Sequence, residues 1–528
     1  MKYLVQAFVI YVIFASTSLA EEVKDRKWVK SPAHKYIASQ ETWFNTEKPI
    51  KSEDLMGRII LLHFWNPSCI SCLQTLTELD YLKGEYGDNI TIIAPHVAKF
   101  SNEMADSSVR DAVLKHDIEH LVVNDVNYKI WSRFDVHSWP AFVLIAPNGQ
   151  IHSKYLGDDS LAQIENDIYD LLEEFGDDIV KEPIKTAPIE ENRGYLNYPS
   201  KFEYVQDFEG EPAIFIADSG NNRIVAARMD GSIFMEIGSG HKGLTNGEFW
   251  EADFNYPQGM LYRDGILYIA DTKNHIIRAA DFATETVSTL AGNGFKGRAI
   301  EGEIDALSVE MSFPYDLAEY PNKDSMVLSV AGVNQLWLYD FDQKKVAAIA
   351  GNGAENLQDG AFPANSLARP AGFSVCDKKL YFADASNSAF RVFAEGEIKS
   401  QIGFGTFKFG YKEGRFNGAL MQYPLGLYCD EAQIYVADSY NNAIRQYDKK
   451  SHFLRNFSGD IERGDKLGKI KDARYNSPSD IIKIGDLLYI IDSNNHKIKT
   501  LDLETRVVEN FEITPPEYEY EEGEGANE

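Results

Sequence analysis

Two cysteines separated by two residues are the part of this chain that most directly suggests chemistry. Cys69 and Cys72 form a Cys-x-x-Cys pair within the stretch Phe64-Trp-Asn-Pro-Ser-Cys-Ile-Ser-Cys72. Such a pair can cycle between dithiol and disulfide, because a thiolate attacks a substrate disulfide and a second thiol then releases it. Half of a zinc site and a static disulfide are the alternatives. Zinc is disfavoured because the sequence has no second Cys-x-x-Cys.

The flanking residues place this pair where a strand meets a helix. Residues 58–65 are an apolar run typical of a buried strand, and leucines recur at helical spacing between residues 73 and 86. Unpaired N–H groups and the helix dipole at the first turn lower the pKa of a thiol. We therefore predict that Cys69, nearer the exposed end, is the nucleophile, and that Cys72, one turn deeper, resolves the mixed disulfide.

Length, charge and cysteine content restrict the class of protein. A chain of 528 residues predicts two or more domains. With 52 basic and 81 acidic residues, the net charge is −29, which disfavours binding to nucleic acid or to anionic lipid. Only four cysteines occur, so the chain is not a disulfide-scaffold protein.

The first twenty residues predict export. Lys2 precedes an apolar run over residues 3–16, and small residues precede Glu21. This order is typical of a secretory signal peptide cleaved after Ala20, and a membrane anchor is the alternative. The run is shorter than the roughly 20 apolar residues that a spanning helix needs. We expect a periplasmic or secreted protein without stable membrane insertion after cleavage.

Residues 21–175 have the pattern of an α/β domain. Apolar strand-like runs alternate with helical periodicity, which predicts a largely parallel sheet. Pro140 heads an apolar run, where a central strand tolerates proline best. Asn148-Gly149 suits a two-residue hairpin turn, and a last helix is predicted over residues 161–175.

Taken in order, these residues resemble the thioredoxin-like fold, and the stretch from Phe64 to Cys72 is most similar to exported thiol reductases. The resemblance implies a cis peptide bond before Pro140, which would face the Cys-x-x-Cys pair and shape the groove where substrate backbone docks. It also implies a supporting role for Trp65 beside the two cysteines.

One position departs from the usual thioredoxin pattern. A buried carboxylate commonly lies two residues before the tryptophan, and here that residue is His63. The resemblance implies two candidates for relaying the proton of Cys72: His63 itself, and Glu103, because related exported reductases use a glutamate after the next strand. Each has a structural alternative, a hydrogen-bonded core histidine for His63 and a solvated first-turn residue for Glu103.

Residues 176–197 are charged, proline-spaced and aperiodic, which predicts a linker. From residue 198 to 513 a motif of the form Ile-Ala-Asp-Ser-x-Asn-Asn-x-Ile recurs at spacings of 53 to 60 residues, each copy with a proline upstream. The aspartates of five copies are Asp218, Asp271, Asp384, Asp438 and Asp492. Short strands repeated in units of this size predict propeller blades, in which each aspartate caps a turn through backbone N–H groups.

A sixth, degenerate copy was aligned on Ala331, which lacks the carboxylate, and a looser turn is predicted there. The repeat resembles NHL repeats, and six copies imply a six-bladed β-propeller. The whole order of domains resembles the NHL repeat-containing protein 2 family. That family's vertebrate members are intracellular and continue into a third β-rich domain, whereas an exported protein with an acidic, disordered tail over residues 514–528 is expected here.

The remaining histidines and cysteines predict no cofactor and no metal site. His275 and His496 occupy the same motif position as Asn222 and Asn442, so we interpret them as turn residues. Cys376 and Cys429 lie eight and nine residues before their aspartates. That offset would point them to opposite faces of their strands, which predicts buried free thiols and not a disulfide.

The resulting hypothesis is an exported thiol–disulfide oxidoreductase whose propeller docks protein or peptide substrates, with a separate redox partner that resets the Cys-x-x-Cys pair. The alternative is a non-catalytic binding or scaffold protein that retains the thioredoxin-like fold. The intact pair, together with Trp65 and Pro140, favours the enzyme.

Overall fold

The computed structural model describes residues 32–40, 42–189, 194–320 and 324–515. The chain divides into two compact units, Met1–Glu190 and Glu191–Glu528. The predicted signal peptide and residues 516–528 of the acidic tail lie outside the described residues. Over the described ranges, no helix combines the length and apolarity needed to cross a membrane.

The first unit is an α/β domain built on a six-stranded sheet. Its strand order is β1-β4-β3-β2-β5-β6, with β2, β3 and β4 parallel and the others antiparallel to their neighbours. The elements are α1 (Pro32–Ile37), β1 (Trp43–Phe44), β2 (Ile59–Phe64), α2 (Ile70–Tyr86), β3 (Ile90–His96), α3 (Asp106–Lys115), β4 (Leu121–Asn124), α4 (Lys129–Arg133), β5 (Ala141–Ile145), β6 (Ile151–Leu156) and α5 (Leu161–Phe175).

The central strand β2 positions the cysteine pair. All six residues of β2 are buried, and five of them are apolar, as expected for a strand covered on both faces. Helix α2 follows after five residues and buries its leucine row, including Leu73, Leu76 and Leu79. The predicted order of strands and helices is confirmed.

The segment after α5 is attached to the first unit. The amide of Val180 donates to Gly57 O at 2.8 Å, and the amide of Ala187 donates to Asn45 O at 3.0 Å. Ile179 is buried and Ile184 packs on the core. Within the predicted linker, residues 179–187 therefore lie along the α/β domain.

The second unit is a six-bladed propeller, as predicted. Blade one contains β7 (Phe202–Phe208), β8 (Glu211–Asp218), β9 (Arg223–Arg228) and β10 (Ile233–Ile237), and blade two contains β11 (Gly247–Glu248), β12 (Pro257–Arg263), β13 (Ile266–Asp271), β14 (Ile276–Asp281) and β15 (Thr286–Ala291). Blade three contains β16 (Glu303–Asp305), β17 (Pro314–Glu319), β18 (Ser325–Val330), β19 (Gln335–Asp340) and β20 (Lys345–Ala350), and blade four contains β21 (Gly360–Ala361), β22 (Pro370–Cys376), β23 (Lys379–Asp384), β24 (Ala389–Ala394) and β25 (Glu397–Ile402). Blade five contains β26 (Gly426–Cys429), β27 (Gln433–Asp438), β28 (Ala443–Asp448) and β29 (Phe453–Gly459), and blade six contains β30 (Gly468–Lys469), β31 (Pro478–Ile484), β32 (Leu487–Asp492), β33 (Lys497–Asp502) and β34 (Val507–Phe511).

The motif aspartates bond differently from the prediction. In blade two, Asp271 Oδ1 accepts the amide of Asn255, sixteen residues upstream, and not an amide of its own turn. Its Oδ2 accepts from Asn274 at 2.8 Å and from Arg278 at 3.0 Å. The prediction that the aspartate caps the turn is wrong, because its carboxylate joins the strand end to the preceding segment and neutralises a buried cation.

In the degenerate blade, the motif lies one residue earlier than the sequence alignment on Ala331 predicts. The turn of blade three spans Ala331–Val333, so Val330, and not Ala331, occupies the aspartate position. Asn334 takes the left-handed conformation at φ 54°, as Asn222 does at 51°. The predicted looser turn is therefore not observed, because the turn depends on the left-handed residue and not on the carboxylate.

The left-handed residues of the six turns also join neighbouring blades. The amide of Phe313 donates to His275 Nδ1 at 3.2 Å, and the amide of Tyr256 donates to Asn222 Oδ1 at 3.0 Å. The interpretation of His275 and His496 as turn residues is confirmed. His496 Nδ1 accepts the amide of Tyr198 at 3.0 Å, which links blade six to blade one.

The ring is closed by charged residues and by the end of the chain. Lys201 Nζ of blade one lies 3.0 Å from Asp316 Oδ2 and 3.2 Å from Asp480 Oδ1 of blade six. The amide of Ile233 donates to Thr514 O at 3.0 Å. Blade one is thus held to the carboxyl end of the propeller, and Thr514 is part of that closure.

The interpretation of two cysteines as free thiols is wrong, because Cys376 and Cys429 form a disulfide. They end the inner strands β22 and β26 of neighbouring blades, with their Cα atoms 6.1 Å apart. Side-chain alternation within a strand does not govern their distance, because the two cysteines belong to separate sheets that pack side by side.

Candidate active site

The Cys69–Cys72 disulfide lies at the start of helix α2. Cys69 is the residue before the first turn, and its Sγ accepts the amide of Cys72 at 3.1 Å. Cys69 is half-buried, whereas Cys72 is completely buried. In the dithiol form, this amide and the helix dipole would stabilise a thiolate at Cys69 more than at Cys72.

Trp65 and Pro140 lie at the same end of the sheet as the disulfide. Phe64, the last residue of β2, pairs with Ala141 at the start of β5, so the residues just beyond them are neighbours. The Trp139–Pro140 peptide bond is cis, which confirms that expectation, and Pro140 is buried. Trp65 is buried with its ring edge on His96, at a centroid distance of 5.5 Å.

His63 is placed inside the sheet. Its Nε2 lies 3.1 Å from Thr75 Oγ1, which in turn donates to Cys72 O at 2.8 Å. Its ring stacks on Phe142 at 5.0 Å. Burial holds the pKa of His63 well below its usual value, so the ring is neutral. Because the bonds reach the backbone of Cys72, this geometry favours a positioning role for His63.

Glu103 is buried, with 2% of its surface exposed, so the solvated alternative does not apply. Its Oε2 accepts the amides of Lys99 at 2.7 Å and Phe100 at 2.9 Å. Burial raises the pKa of Glu103, and these amides and the side chain of Ser68 oppose that rise. Ser68 directly precedes Cys69, so the carboxyl is connected to the cysteine loop.

Sequence reasoning missed Ser68 and Asn66 as parts of the site. Ser68 is buried with its Oγ 2.7 Å from Asn66 Oδ1, and Asn66 O accepts the amide of Cys69 at 3.3 Å. These bonds fix the loop that carries Cys69. They also bring the hydroxyl of Ser68 to Glu103. The available signal was the presence of polar residues within an otherwise apolar strand-to-helix junction. Such residues indicate a hydrogen-bond network, because buried polar groups need hydrogen-bond partners.

The polar residues just described bond to one another or to the backbone. Within the described ranges, no group of three or more histidine, cysteine, aspartate or glutamate residues is arranged to hold a metal ion. The arrangement contains two sulfurs that can exchange disulfides and a buried carboxyl connected to their loop through Ser68.

Comparison with known proteins places this arrangement in a family. Residues 57–151 match a family model described as thioredoxin-like. NHL repeat-containing protein 2 from Gallus gallus is 32% identical over 523 residues, which cover 90% of this chain and 71% of that protein. This chain belongs to the NHL repeat-containing protein 2 family.

Other relatives match most of this chain or a smaller part of it. The chloroplastic protein SUPPRESSOR OF QUENCHING 1 from Arabidopsis thaliana is 33% identical over 87% of this chain, and the chain spans 46% of that longer protein. The thiol-disulfide oxidoreductase YkuV from Bacillus subtilis is 22% identical over 139 residues, which cover 26% of this chain and 93% of YkuV.

Two solved structures each match part of this chain. A structure of MTB dsbF covers 26% of this chain and 98% of its own, at 18% identity and a TM-score of 0.23. A streptogramin B lyase structure covers 62% of this chain and 87% of its own, at 10% identity and a TM-score of 0.39.

Proposed function

We propose that this protein is an exported thiol–disulfide oxidoreductase that acts on protein or peptide substrates. The observation that carries the proposal is the asymmetric cysteine pair at the start of α2, in which the half-buried Cys69 Sγ accepts an amide and Cys72 is enclosed. A static disulfide needs no such asymmetry, whereas exchange needs one accessible and one protected sulfur.

The first step uses the reduced pair. The Cys69 thiolate attacks one sulfur of a substrate disulfide, forming a mixed disulfide and releasing the other substrate sulfur as a thiolate. The Cys72 amide and the first turn of α2 hold the charge at Cys69 before attack. Pro140, at the same end of the sheet, borders the place where substrate backbone would lie.

The second step resolves the mixed disulfide. Cys72 loses its proton and attacks Cys69 Sγ, which releases the reduced substrate and leaves the Cys69–Cys72 disulfide, a transfer of two electrons to the substrate. Because Cys72 is buried, its proton needs a nearby acceptor, and Glu103 supplies a buried carboxyl linked to the loop through Ser68. A separate dithiol donor then resets the pair.

Turnover of a model substrate tests this proposal. We expect reduction of insulin by dithiothreitol to be accelerated by the protein and to fall to the uncatalysed rate in Cys69→Ser. Cys72→Ser should accumulate a mixed disulfide through Cys69, detectable by mass spectrometry. Thermal unfolding of each variant controls for folding. If both variants match the wild-type rate, the protein is instead a binding or scaffold protein.

The propeller's role in this proposal is to dock the substrate. Large apolar side chains are exposed in loops between its blades, among them Phe295 at 69%, Phe407 at 82% and Ile461 at 61%. Single exposed apolar side chains are common on protein surfaces, so it is their recurrence in three loops between blades that supports docking. Changing all three to serine should raise KM for a protein substrate while leaving the rate with a small disulfide unchanged. Equal KM values would contradict docking at these loops.

Two arguments support export. Residues 1–20 have the pattern of a signal peptide, and the disulfide substrates of the proposed reaction persist in oxidising compartments. Mass spectrometry of the mature protein from its native source should give Glu21 as the first residue. A mature chain that begins at Met1 in a reducing compartment would contradict export.

A further inference from the structure

We propose that Cys376 and Cys429 form a second redox-active pair, which exchanges with small thiols and reversibly ties propeller blades four and five together. The pair joins the last residues of β22 and β26, the inner strands of those blades. It lies in a different unit of the chain from Cys69 and Cys72, so it is independent of the function proposed above.

The two sulfurs differ in exposure. Cys429 is 4% exposed, whereas Cys376 is partly exposed and is followed by the exposed residues Asp377 and Lys378. Those two residues make a tight turn with φ values of 51° and 58°. We place the attack of an incoming thiolate at Cys376, because this residue is the more exposed of the two.

A lysine contacts the more exposed sulfur. Lys449 Nζ lies 3.1 Å from Cys376 Sγ, 2.9 Å from Asp377 Oδ2, and also donates to Asp430 O. Its side chain is only 14% exposed, so the ammonium is held at the sulfur. An ammonium beside a thiol stabilises the thiolate, which favours both its formation and its departure from a mixed disulfide.

Lys449 also lines a pocket of about 620 Å³ between blades four and five. The walls carry charges of both signs, including Lys379, Lys399, Glu395 and Glu397. A pocket of this size admits a small molecule, and walls of mixed charge suit a thiol that bears ammonium and carboxylate groups. Reduced glutathione has that chemistry and is the probe we select.

The exchange balances as follows. A glutathione thiolate attacks Cys376 Sγ, and Cys429 leaves as a thiolate that takes a proton from water. A second glutathione thiolate attacks the glutathione sulfur of this mixed disulfide and releases Cys376 as a thiolate beside Lys449. Two glutathione molecules are oxidised to one disulfide, and the protein gains two thiols. The covalent tie between β22 and β26 is then open.

The blades should stay assembled after reduction. The amide of Cys429 donates to Ser374 Oγ at 3.0 Å, and this bond between the same two strands does not need the disulfide. Reduction should therefore open the covalent tie beside Asp377 and Lys449, two residues that line the pocket, without unfolding the propeller.

The test uses the full chain with Cys69→Ser and Cys72→Ser, so that only the propeller pair can react. After equilibration in glutathione redox buffers, acid quenching and alkylation, mass spectrometry should show a reversible two-electron transition under conditions where circular dichroism is unchanged. In the reduced protein, Cys376 should be alkylated faster than Cys429. If the pair resists millimolar glutathione until the propeller is denatured, it is a structural cross-link and the proposal is wrong.

Lys449 provides the matched variants. Lys449→Met should slow the release of Cys376 from its mixed disulfide with glutathione about threefold to tenfold, because the thiolate released in that second step loses its ammonium. Lys449→Arg keeps the charge and should retain most of the rate. Equal rates for wild type, Lys449→Met and Lys449→Arg would overturn the role assigned to the lysine.

Discussion

Two sets of buried carboxyl groups, one in each unit of the chain, have different partners. In the propeller, Asp271 is buried against the guanidinium of Arg278, and Asp384 and Asp438 are buried against Arg391 and Arg445 in the same manner. In the α/β domain, Glu103 is held mainly by backbone amides and the side chain of Ser68, and the charge of Lys99 contributes least.

The difference separates carboxyls that hold the fold together from one that can exchange a proton. Burial raises the pKa of Asp271 to about 6, and the charge of Arg278 opposes that rise. A proton bound there would leave the buried guanidinium uncompensated. Burial also raises the pKa of Glu103, but there the opposing groups are mainly neutral donors. A proton bound by Glu103 therefore leaves no buried guanidinium uncompensated, which suits proton exchange beside the cysteine loop.

Blade three shows that the buried ion pair is one of two solutions to the same packing problem. Val330 occupies the aspartate position, and the residue seven positions later, which is Arg278 in blade two, is Trp337. Trp337 is fully buried and donates from Nε1 to Gln335 Oε1 at 2.8 Å. An apolar pair therefore replaces the ion pair. Such a replacement need not cost stability, because the desolvation of two buried charges offsets much of their attraction.

The largest effect should come from breaking one propeller pair. Arg278→Met should destabilise the propeller by about 3–5 kcal/mol, because Asp271 would keep a buried charge without its cation. Denaturant unfolding monitored by circular dichroism measures this loss. Lys345→Met, which removes the exposed pair with Glu303, is the control and should cost no more than about 1 kcal/mol. Equal losses in both variants would contradict the role given to burial.

Glu103→Gln should have the next largest effect, and on catalysis. We expect kcat for insulin reduction to fall about tenfold to hundredfold, because the buried acceptor for the Cys72 proton is lost. Glu85→Gln, on the exposed side of α2, is the control and should keep the wild-type rate. An unchanged kcat in Glu103→Gln would remove Glu103 from the mechanism.

The same substitution has a consequence for stability that depends on pH. Because burial raises the pKa of Glu103 above 4.5, the folded domain binds this proton more tightly than the unfolded chain does. Its stabilising contribution is complete below pH 4.5 and is lost as pH rises through the raised pKa. Glu103→Gln should flatten this part of the stability profile of the α/β domain, and an unchanged profile would contradict the raised pKa.

Ser68→Ala should have a smaller effect that sharpens the assignment. The side chain of Ser68 lowers the pKa of Glu103, so its removal should move the carboxyl's inflection in the pH–rate profile to higher pH. We expect kcat at neutral pH to fall about threefold to tenfold. In combination with Glu103→Gln, the two effects should not add, because the serine acts through the carboxyl. Additive losses would show that Ser68 acts separately.

The sequence predicted what depends on local pattern and missed what depends on packing between elements. Alternating strand and helix periodicity predicted the α/β domain, and the spaced motifs predicted six blades. The disulfide between Cys376 and Cys429 was missed, because it joins neighbouring sheets whose side-by-side placement no strand pattern contains. The partner of Asp271 was missed as well, although an arginine seven residues later recurs at Arg391 and Arg445.

The smallest effect should come from His275, which the sequence pattern predicts to be a turn residue and not a metal ligand. His275 has φ 60° and accepts the amide of Phe313, and Asn222 has φ 51° and accepts the amide of Tyr256. Asparagine tolerates the left-handed conformation and also offers an acceptor, so His275→Asn should change the free energy of unfolding by no more than about 0.5 kcal/mol. His275→Ala loses the acceptor and strains the backbone, and should cost about 1–3 kcal/mol. Denaturant unfolding of the wild type and both variants, with and without a chelator, distinguishes a turn residue from a metal ligand. A large loss in His275→Asn, or a chelator effect confined to the wild type, would mean that the imidazole does more than complete the turn and bridge two blades.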